Sequence, residues 1–166
     1  MIFVTVGTHQ QPFERMLAGL AALPLEQLVV QHGDGPPPPG VAHAAAFMSF
    51  GEMLEQFEAA DTVVTHAGVG SILLAMRVGH TPIVVPRYKR FGEHVDDHQV
   101  ELTRALADGA RVIAAWDTAD LAAAVAAAPP RRPPSERGER PIHAAVRAAL
   151  RGEEPSLRAA SGSQGG

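Results

Sequence analysis

Three segments of the chain combine glycines with side chains that could bind a phosphorylated, hydroxyl-rich ligand. They are Gly7-Thr8-His9, His66-Ala67-Gly68-Val69-Gly70-Ser71 and Phe91-Gly92-Glu93-His94-Val95-Asp96-Asp97-His98-Gln99. Gly68 and Gly70 would let backbone N–H groups approach a diphosphate, and Ser71 adds a hydroxyl. The third segment is rich in groups that hydrogen-bond with sugar hydroxyls. A tight strand-to-helix turn with a buried histidine would explain residues 66–71 equally well.

The spacing of these residues argues against two common nucleotide motifs and against a metal site. No Gly-Lys-Ser/Thr follows the glycines of residues 66–71, and that loop follows the fourth predicted strand rather than the first, so neither a Walker loop nor a dinucleotide fingerprint fits. His94 and His98, with Asp97 between them, have metal-ligand spacing only if a helix begins early enough. Gly92 and its acidic neighbours favour a loop-to-helix junction instead. The sequence therefore predicts no metal ion.

Alternating strands and helices must position these segments. Apolar β-branched runs predict strands at residues 2–6, 28–30, 44–48, 62–65, 82–86 and 112–113. Helical spacing predicts helices near residues 13–20, 53–57, 71–78 and 97–106, and an alanine-rich helix capped by Asp117 or Thr118. Because consecutive parallel strands need crossover connections, this order predicts an α/β fold with a Rossmann-like, doubly wound parallel sheet. Ligands of such sheets bind beyond the carboxyl ends of the strands, where all three segments lie.

Composition limits the class of protein. With 166 residues, of which 46% are hydrophobic and 19% charged, the chain fits one globular domain. It has no cysteine, so disulfides and thiolate chemistry are excluded. Residues 1–128 hold 7 Lys/Arg against 14 Asp/Glu, an acidic balance that argues against nucleic-acid binding. The opening apolar run is typical of a first strand and not of a secretory signal, so we expect a cytoplasmic location.

The C-terminal part differs in character from residues 1–128, which form the predicted domain. Residues 129–140 are rich in proline and arginine and predict an extended linker. Residues 141–151 have one apolar face and predict an amphipathic helix that docks on another surface. Residues 152–166 predict a disordered tail. Residues 129–166 hold 7 Arg against 4 Glu, so this part could face a partner or an anionic membrane.

Over about residues 1–128 the chain resembles the C-terminal, donor-binding domain of family 28 glycosyltransferases. The resemblance rests on Ile2-Phe3-Val4-Thr5-Val6-Gly7-Thr8, on residues 66–71, on Pro82-Ile83-Val84-Val85-Pro86 and above all on residues 87–99. It is strongest to the single-domain members, which are a cytosolic subunit of the dolichol pathway and bacterial exopolysaccharide and capsule relatives.

The resemblance implies one half of a GT-B enzyme. This chain would hold a UDP-sugar, without a metal or other cofactor, and a membrane-anchored partner subunit would supply a lipid-linked acceptor at the inner face of the cell membrane. The diphosphate would be bound by His66, Ala67, Gly68, Val69, Gly70 and Ser71. The donor sugar would be contacted by Asp97, His98 and Gln99. Gly7 and Thr8 would border the cleft, and Arg87 or Lys89 could assist the departing diphosphate. His9 is the candidate catalytic base, although a simple hydrogen-bonding role is equally compatible with its position.

One position departs from the family pattern. Where other members have a glutamate that binds the ribose diol, three residues after the serine or threonine of the loop, this chain has Leu74. Either the ribose is held from elsewhere, which we favour, or nucleotide affinity is weakened, or the chain is a non-catalytic partner. A stand-alone enzyme such as a nucleotide-sugar epimerase is disfavoured by length, since those enzymes carry both halves of the cleft in one chain.

Overall fold

The structure, a computed structural model, describes residues 1–41 and 43–132. Six strands in these residues form one sheet: β1 Ile2–Thr5, β2 Leu28–Gln31, β3 His43–Ala45, β4 Thr62–His66, β5 Ile83–Val85 and β6 Ile113–Ala114. All neighbours are parallel, and the strand order is β3-β2-β1-β4-β5-β6. The predicted α/β class and doubly wound parallel sheet are confirmed.

Five α-helices connect these strands within the described part of the chain. They are α1 Glu14–Gly19, α2 Phe50–Ala59, α3 Val69–Val78, α4 His98–Asp108 and α5 Leu121–Ala127. Four short 3-10 turns complete the connections, at Leu20–Ala22, Leu25–Gln27, Lys89–Phe91 and Thr118–Asp120. No helix of the described residues is long and apolar enough to span a bilayer.

The central strand β1 explains why the sheet carries helices on both faces. Its four side chains are all buried, as expected for a parallel strand covered on two sides. Successive residues alternate between faces: Ile2 and Val4 belong to one core cluster, while Phe3 belongs to a second cluster with Phe57 and Val63. The rings of Phe3 and Phe57 meet edge to face, with centroids 5.2 Å apart. Burial of a side chain of this size contributes about 1.5–3 kcal/mol.

Local signals set the ends of several elements. Ser49 and Glu52 form a capping box that begins α2, because each side chain accepts from the other residue's backbone N–H. Gly79 ends α3 in a left-handed conformation, with φ at +103°. The Asp117 carboxylate accepts from the backbone N–H of Ala119 at 3.0 Å, so it caps the 3-10 turn that leads into α5.

The third strand differs from its predicted bounds. The third strand was expected at residues 44–48, but β3 is His43–Ala45, because residues 46–48 turn away from the sheet edge towards α2. The carbonyl of Ala46 nevertheless stays bound, since it accepts from the backbone N–H of Gly33. The predicted docking helix and tail, and the linker beyond residue 132, lie outside the described residues and stay predictions.

Candidate functional site

The sheet has one place where the order of strands reverses, between β1 and β4. In open α/β sheets a crevice forms at the carboxyl ends of such strands. A cavity of about 230 Å³ lies there. Of the residues predicted for the site, it is lined by Gly7, Thr8, His66, Gly68, Gly70 and Ser71, and it is completed by Thr5, Gln31, Met48 and Met53. The structure thus brings together two of the three segments identified in the sequence.

The imidazole of His66 stands between two glycines at the base of this cavity. Gly7 has φ at +80°, a conformation that side chains rarely adopt. A Cβ atom on either Gly7 or Gly68 would collide with the His66 ring. Glycine is therefore required at both positions to leave room for the imidazole.

His66 is held in its neutral form. Its burial lowers the pKa to about 4, and the positive charge of Arg87 adds to this effect. A hydrogen bond with the backbone of Thr5 opposes the shift, whereas His9 and His94 reinforce it. A neutral imidazole offers one N–H and one unprotonated nitrogen, so His66 can hydrogen-bond with a ligand without adding charge to the cavity.

The amino terminus of α3 borders the same cavity. The first intrahelical bond runs from the N–H of Ile72 to the carbonyl of Gly68, at 3.1 Å, so the amides of residues 69–71 precede the hydrogen-bonded turns. Gly68 is the N-cap and has no side-chain oxygen to satisfy them. Free amides and the helix dipole together favour an anion at this end. Gly70 and Ser71 line the cavity, whereas Ala67 is buried and Val69 is 56% exposed, outside the lining.

Gln31 is a site residue that the sequence analysis missed. Its buried amide lies at the end of β2, in register with Thr5. The Gln31 Oε1 atom accepts from the Thr5 hydroxyl at 2.6 Å and from the Gly7 N–H at 3.2 Å. Its Nε2 donates to the carbonyls of Gly7 and Ala46, at 3.1 and 2.6 Å. One amide thus ties the loops after β1, β2 and β3 together. The available signal was a polar residue ending an otherwise apolar strand.

Arg87 lies beneath the site and outside the cavity lining. Its side chain is fully buried, and its guanidinium donates to backbone carbonyls of Val6, Gln11, Pro12 and Glu93, at 2.8 to 3.4 Å. It also lies over the ring of Phe13, 4.4 Å from the centroid. Desolvation lowers its pKa to about 10, against the attraction of Glu93, so it stays charged at neutral pH. Its predicted assistance to a diphosphate would act through this buried charge.

An ion pair joins α1 to the loop that follows β5. Arg15 of α1 binds the carboxylate of Glu93 through two nitrogens, at 2.8 and 3.0 Å, and also donates to the carbonyl of Pro86 at 2.8 Å. The carboxylate of Glu93 also accepts from the backbone N–H of Tyr88, at 2.9 Å. The ion pair therefore joins α1 to the third predicted segment.

The residues predicted to contact the donor sugar lie at this carboxyl edge beyond β5. The Asp97 carboxylate accepts from the backbone N–H of Lys89 at 3.0 Å, and the Gln99 side chain accepts from the backbone N–H of Arg87 at 3.2 Å. The side chain of His98 is 77% exposed. None of the three lines the cavity between β1 and β4, so their sugar contacts stay a prediction. Among the described residues, no group of three or more acidic or histidine side chains is arranged to hold a metal ion.

His9 directly follows Thr8 of the cavity lining but does not itself line the cavity, and it lies next to His94. The two ring centroids are 5.0 Å apart. The Nε2 atom of His9 is enclosed by protein and has no hydrogen-bond partner in the described part of the chain. Burial lowers the pKa of His9, and the positive charge of Arg87 and then His94 lower it further. The ring is thus kept neutral, as a proton acceptor must be.

Leu74 faces away from the cavity. It is 7% exposed and packs with Phe57, Ala60 and Val78 between α2 and α3. At this position the chain offers no acceptor for a ribose hydroxyl.

A doubly wound parallel sheet with a glycine-rich loop and a helix amino terminus at its switch point defines an α/β domain of the Rossmann type. The sequence model of the glycosyltransferase family 28 C-terminal domain matches residues 1–138, and the chain belongs to this family. The predicted family is thus confirmed. The chain is also similar to the UDP-N-acetylglucosamine transferase subunit ALG13 of Yarrowia lipolytica (strain CLIB 122 / E 150), with 28% identity over 134 residues. That match covers 71% of this chain and 66% of the relative, so the chain spans just under two thirds of the relative's length.

Proposed function

We propose that the chain is the donor-binding and catalytic subunit of a two-subunit inverting glycosyltransferase. The enzyme would move a hexose or N-acetylhexosamine from a UDP-sugar to a polyprenyl-linked acceptor in polysaccharide synthesis. The observation that carries this proposal is the cavity at the switch point, where the α3 amino terminus meets the neutral imidazole of His66. Membership of family 28 supports the transferase class, and the printed name of the fungal relative supports a UDP-sugar donor.

In this proposal the departing diphosphate is stabilised by hydrogen-bond donors and a helix dipole. The amides of residues 69–71 and the Ser71 hydroxyl bind the phosphate oxygens, and negative charge grows there as the bond from the anomeric carbon to the diphosphate breaks. The acceptor hydroxyl attacks the opposite side of that carbon and inverts it. Its proton passes to a base, for which His9 is our candidate. These groups supply the stabilisation without a metal ion or another cofactor.

The size of the cavity supports a partner subunit. At about 230 Å³ it is smaller than the roughly 300–1,000 Å³ of ligand pockets that enclose a whole compound. A UDP-sugar would therefore be covered from the other side by the acceptor-binding subunit. We propose that this subunit is anchored in the membrane and brings the chain to the cytoplasmic face of the cell membrane.

Calorimetric titration with UDP tests the donor site. We expect binding by the full chain, weakened about tenfold or more in Ser71→Ala, because a hydrogen bond to a charged group contributes about 1.5–3 kcal/mol. Thr81→Ala is the matched control, since Thr81 follows the far end of α3, and its affinity should equal that of the unchanged chain. Equal affinities of all three proteins would contradict the assignment of Ser71.

Co-purification with the partner tests the two-subunit assembly. A chain that ends at Arg132 keeps the backbone bond from Arg132 to the Gly79 carbonyl, at 2.9 Å. If residues 141–151 form the predicted docking helix, the shortened chain should still unfold cooperatively but lose the partner and all transfer to a polyprenyl-linked acceptor. A retained complex would contradict the docking helix. Turnover by the full chain alone would contradict the need for a partner.

The second candidate is a non-catalytic, stabilising subunit of such a complex. Leu74 favours it, because the ribose-binding carboxylate of the family pattern is replaced by a buried apolar side chain. This alternative predicts undetectable UDP binding together with full activity of a complex that contains His66→Ala. Measurable UDP affinity with an inactive His66→Ala complex would support the catalytic assignment instead.

A further inference from the structure

Three imidazoles from distant parts of the chain lie near one another at the carboxyl edge of the sheet. His9 follows β1, His66 ends β4, and His94 follows β5. The proposed function uses the first two and leaves His94 and its neighbour Asp96 without a role. The His94 ring lies against that of His9, with an angle of 59° between the ring planes.

Asp96 fixes the orientation of His94. Its Oδ1 atom lies 3.0 Å from Nδ1 of His94, and the same oxygen accepts from the backbone N–H of His98 at 3.0 Å. The hydrogen bond from His98 is the largest of the causes that lower the pKa of Asp96, so the carboxyl is ionised at neutral pH. A carboxylate at this distance favours the proton on Nδ1 of His94. The backbone N–H of Asp96 also faces this nitrogen, but at 3.4 Å, so the shorter contact with the carboxylate sets the tautomer and the plane of the His94 ring.

His9 depends on its surroundings for its own state and orientation. Its Nε2 atom is enclosed and has no hydrogen-bond partner among the described residues, which leaves Nδ1 as the nitrogen that can receive a proton from an acceptor hydroxyl. The charged and titratable groups around it are Arg87 and His94, which both disfavour its cationic form, and His66, which is neutral. No hydrogen bond holds the ring in place among the contacts of the described residues, and the neighbouring His94 ring is its aromatic contact.

We propose that the Asp96–His94 pair is a positioning element for His9, in which the carboxylate orients the His94 ring and that ring holds the His9 imidazole at the edge of the cleft. The arrangement resembles the general logic of a catalytic base oriented by further groups. It rests on the proposed function, because it gives His9 the role of proton acceptor. His94 and Asp96 do not touch the reacting atoms and are positioning residues.

The test follows the His9 ring directly by NMR titration of assigned histidine Cε1–H signals in the full chain. In His94→Gln the pKa of His9 should rise by about half a pH unit, a roughly threefold change in proton affinity, because a group that disfavours the cation is removed. Asp96→Asn should also raise the pKa of His9, because it loosens His94. The control is His43→Gln, which alters an exposed histidine at the sheet edge and should leave His9 unchanged.

A second readout uses the assembled enzyme. The acidic limb of the kcat/KM profile for transfer to the polyprenyl-linked acceptor should move upward in His94→Gln by the same amount as the NMR titration. An unchanged His9 titration in both His94→Gln and Asp96→Asn would overturn the proposal. Full activity of His9→Gln would instead show that His9 is not the base. The NMR titration does not depend on that role, so the two failures can be distinguished.

Discussion

At the scale of single residues, the glycines around the cavity have different roles that the sequence does not distinguish. Some are needed for packing inside the protein, and others leave space in the cavity. Gly68 is needed for space, because a Cβ there would strike the His66 ring, which Gly7 confines from the other side. We expect Gly68→Ala to lower the free energy of unfolding by about 1–3 kcal/mol, the usual cost of overpacking. Urea unfolding at neutral pH measures this effect.

Gly70 and Gly51 provide the matched controls, because a Cβ at either position meets nothing within 4 Å. Both are helical, in α3 and α2, so alanine should stabilise the fold by up to about 1 kcal/mol. Only the methyl group at residue 70 would enter the cavity. Gly70→Ala should therefore lose UDP affinity while Gly51→Ala keeps it. If Gly68→Ala proved as stable as these two variants, the packing of His66 between glycines would be wrong.

Gln31 allows a second prediction at this scale. Replacing it with leucine would leave the buried carbonyl of Gly7 without a donor and the buried hydroxyl of Thr5 without an acceptor, whereas the carbonyl of Ala46 keeps its bond from Gly33. We expect Gln31→Leu to destabilise the fold by about 2 kcal/mol or more, because each unsatisfied buried group costs about 1–3 kcal/mol. Thermal and urea unfolding measure the change, and Gln27→Leu, at an exposed position nearby, should stay within about 0.5 kcal/mol of the unchanged protein.

At the scale of elements, the contact between α1 and the third segment joins the elements that follow β1 and β5. Arg15 and Glu93 are 78 residues apart in the chain, and their side chains are 21% and 7% exposed. Removing one partner leaves the other charge half-buried. We expect Glu93→Gln to cost about 1–3 kcal/mol, less than a fully buried pair because Arg15 keeps some solvent and its bond to the Pro86 carbonyl.

A double-mutant cycle with Arg15→Met and Glu93→Gln isolates this contact. The coupling free energy from urea unfolding should exceed about 0.5 kcal/mol, as for residues in direct contact. Arg104→Gln, on the exposed face of α4, should show no coupling with Glu93→Gln. Additive effects of the Arg15 and Glu93 changes would mean that the ion pair does not join α1 to the loop after β5 in solution.

The elements themselves could be predicted because their causes are local. The strands β1, β2, β4 and β5 follow from apolar runs such as residues 62–65, since a strand covered on both faces needs no polar alternation, whereas the edge strand β3 is largely exposed and its bounds were predicted less well. The 66–71 loop was identified for the same reason, as its glycines follow such a run directly. Its role still depended on the strand order, which places it at the switch point.

Other features depend on the folded arrangement and could not be read from the chain. The family resemblance implied that Arg87 could assist a departing diphosphate. In the structure its donors bind carbonyls of residues 6, 11, 12 and 93, and only tertiary contact determines that. Gln31 was missed because one polar residue at the end of an apolar strand has no meaning until its partners after β1 and β3 are known.

At the scale of the whole molecule, buried histidines link the stability of the fold to pH. The pKa of His66 is about 4 in the folded chain and near 6.5 when it is exposed, so the unfolded chain binds the proton first as the pH falls. The loss of unfolding free energy that His66 causes is absent above about pH 6.5 and grows as the pH falls to about 4. Burial also lowers the pKa of His9 and of His80, which act in the same direction.

Urea unfolding at pH 7 and pH 5 measures this linkage in a range above the ordinary pKa values of carboxylates. His66 alone should remove about 2 kcal/mol of unfolding free energy between these two pH values, from the difference between its folded and unfolded proton affinities. His66→Asn cannot take up that proton, so its stability should fall by about 2 kcal/mol less over the same interval. His43→Asn, which changes an exposed imidazole, should follow the unchanged protein. Equal pH dependence of His66→Asn and the unchanged protein would show that His66 is not held neutral between its two glycines.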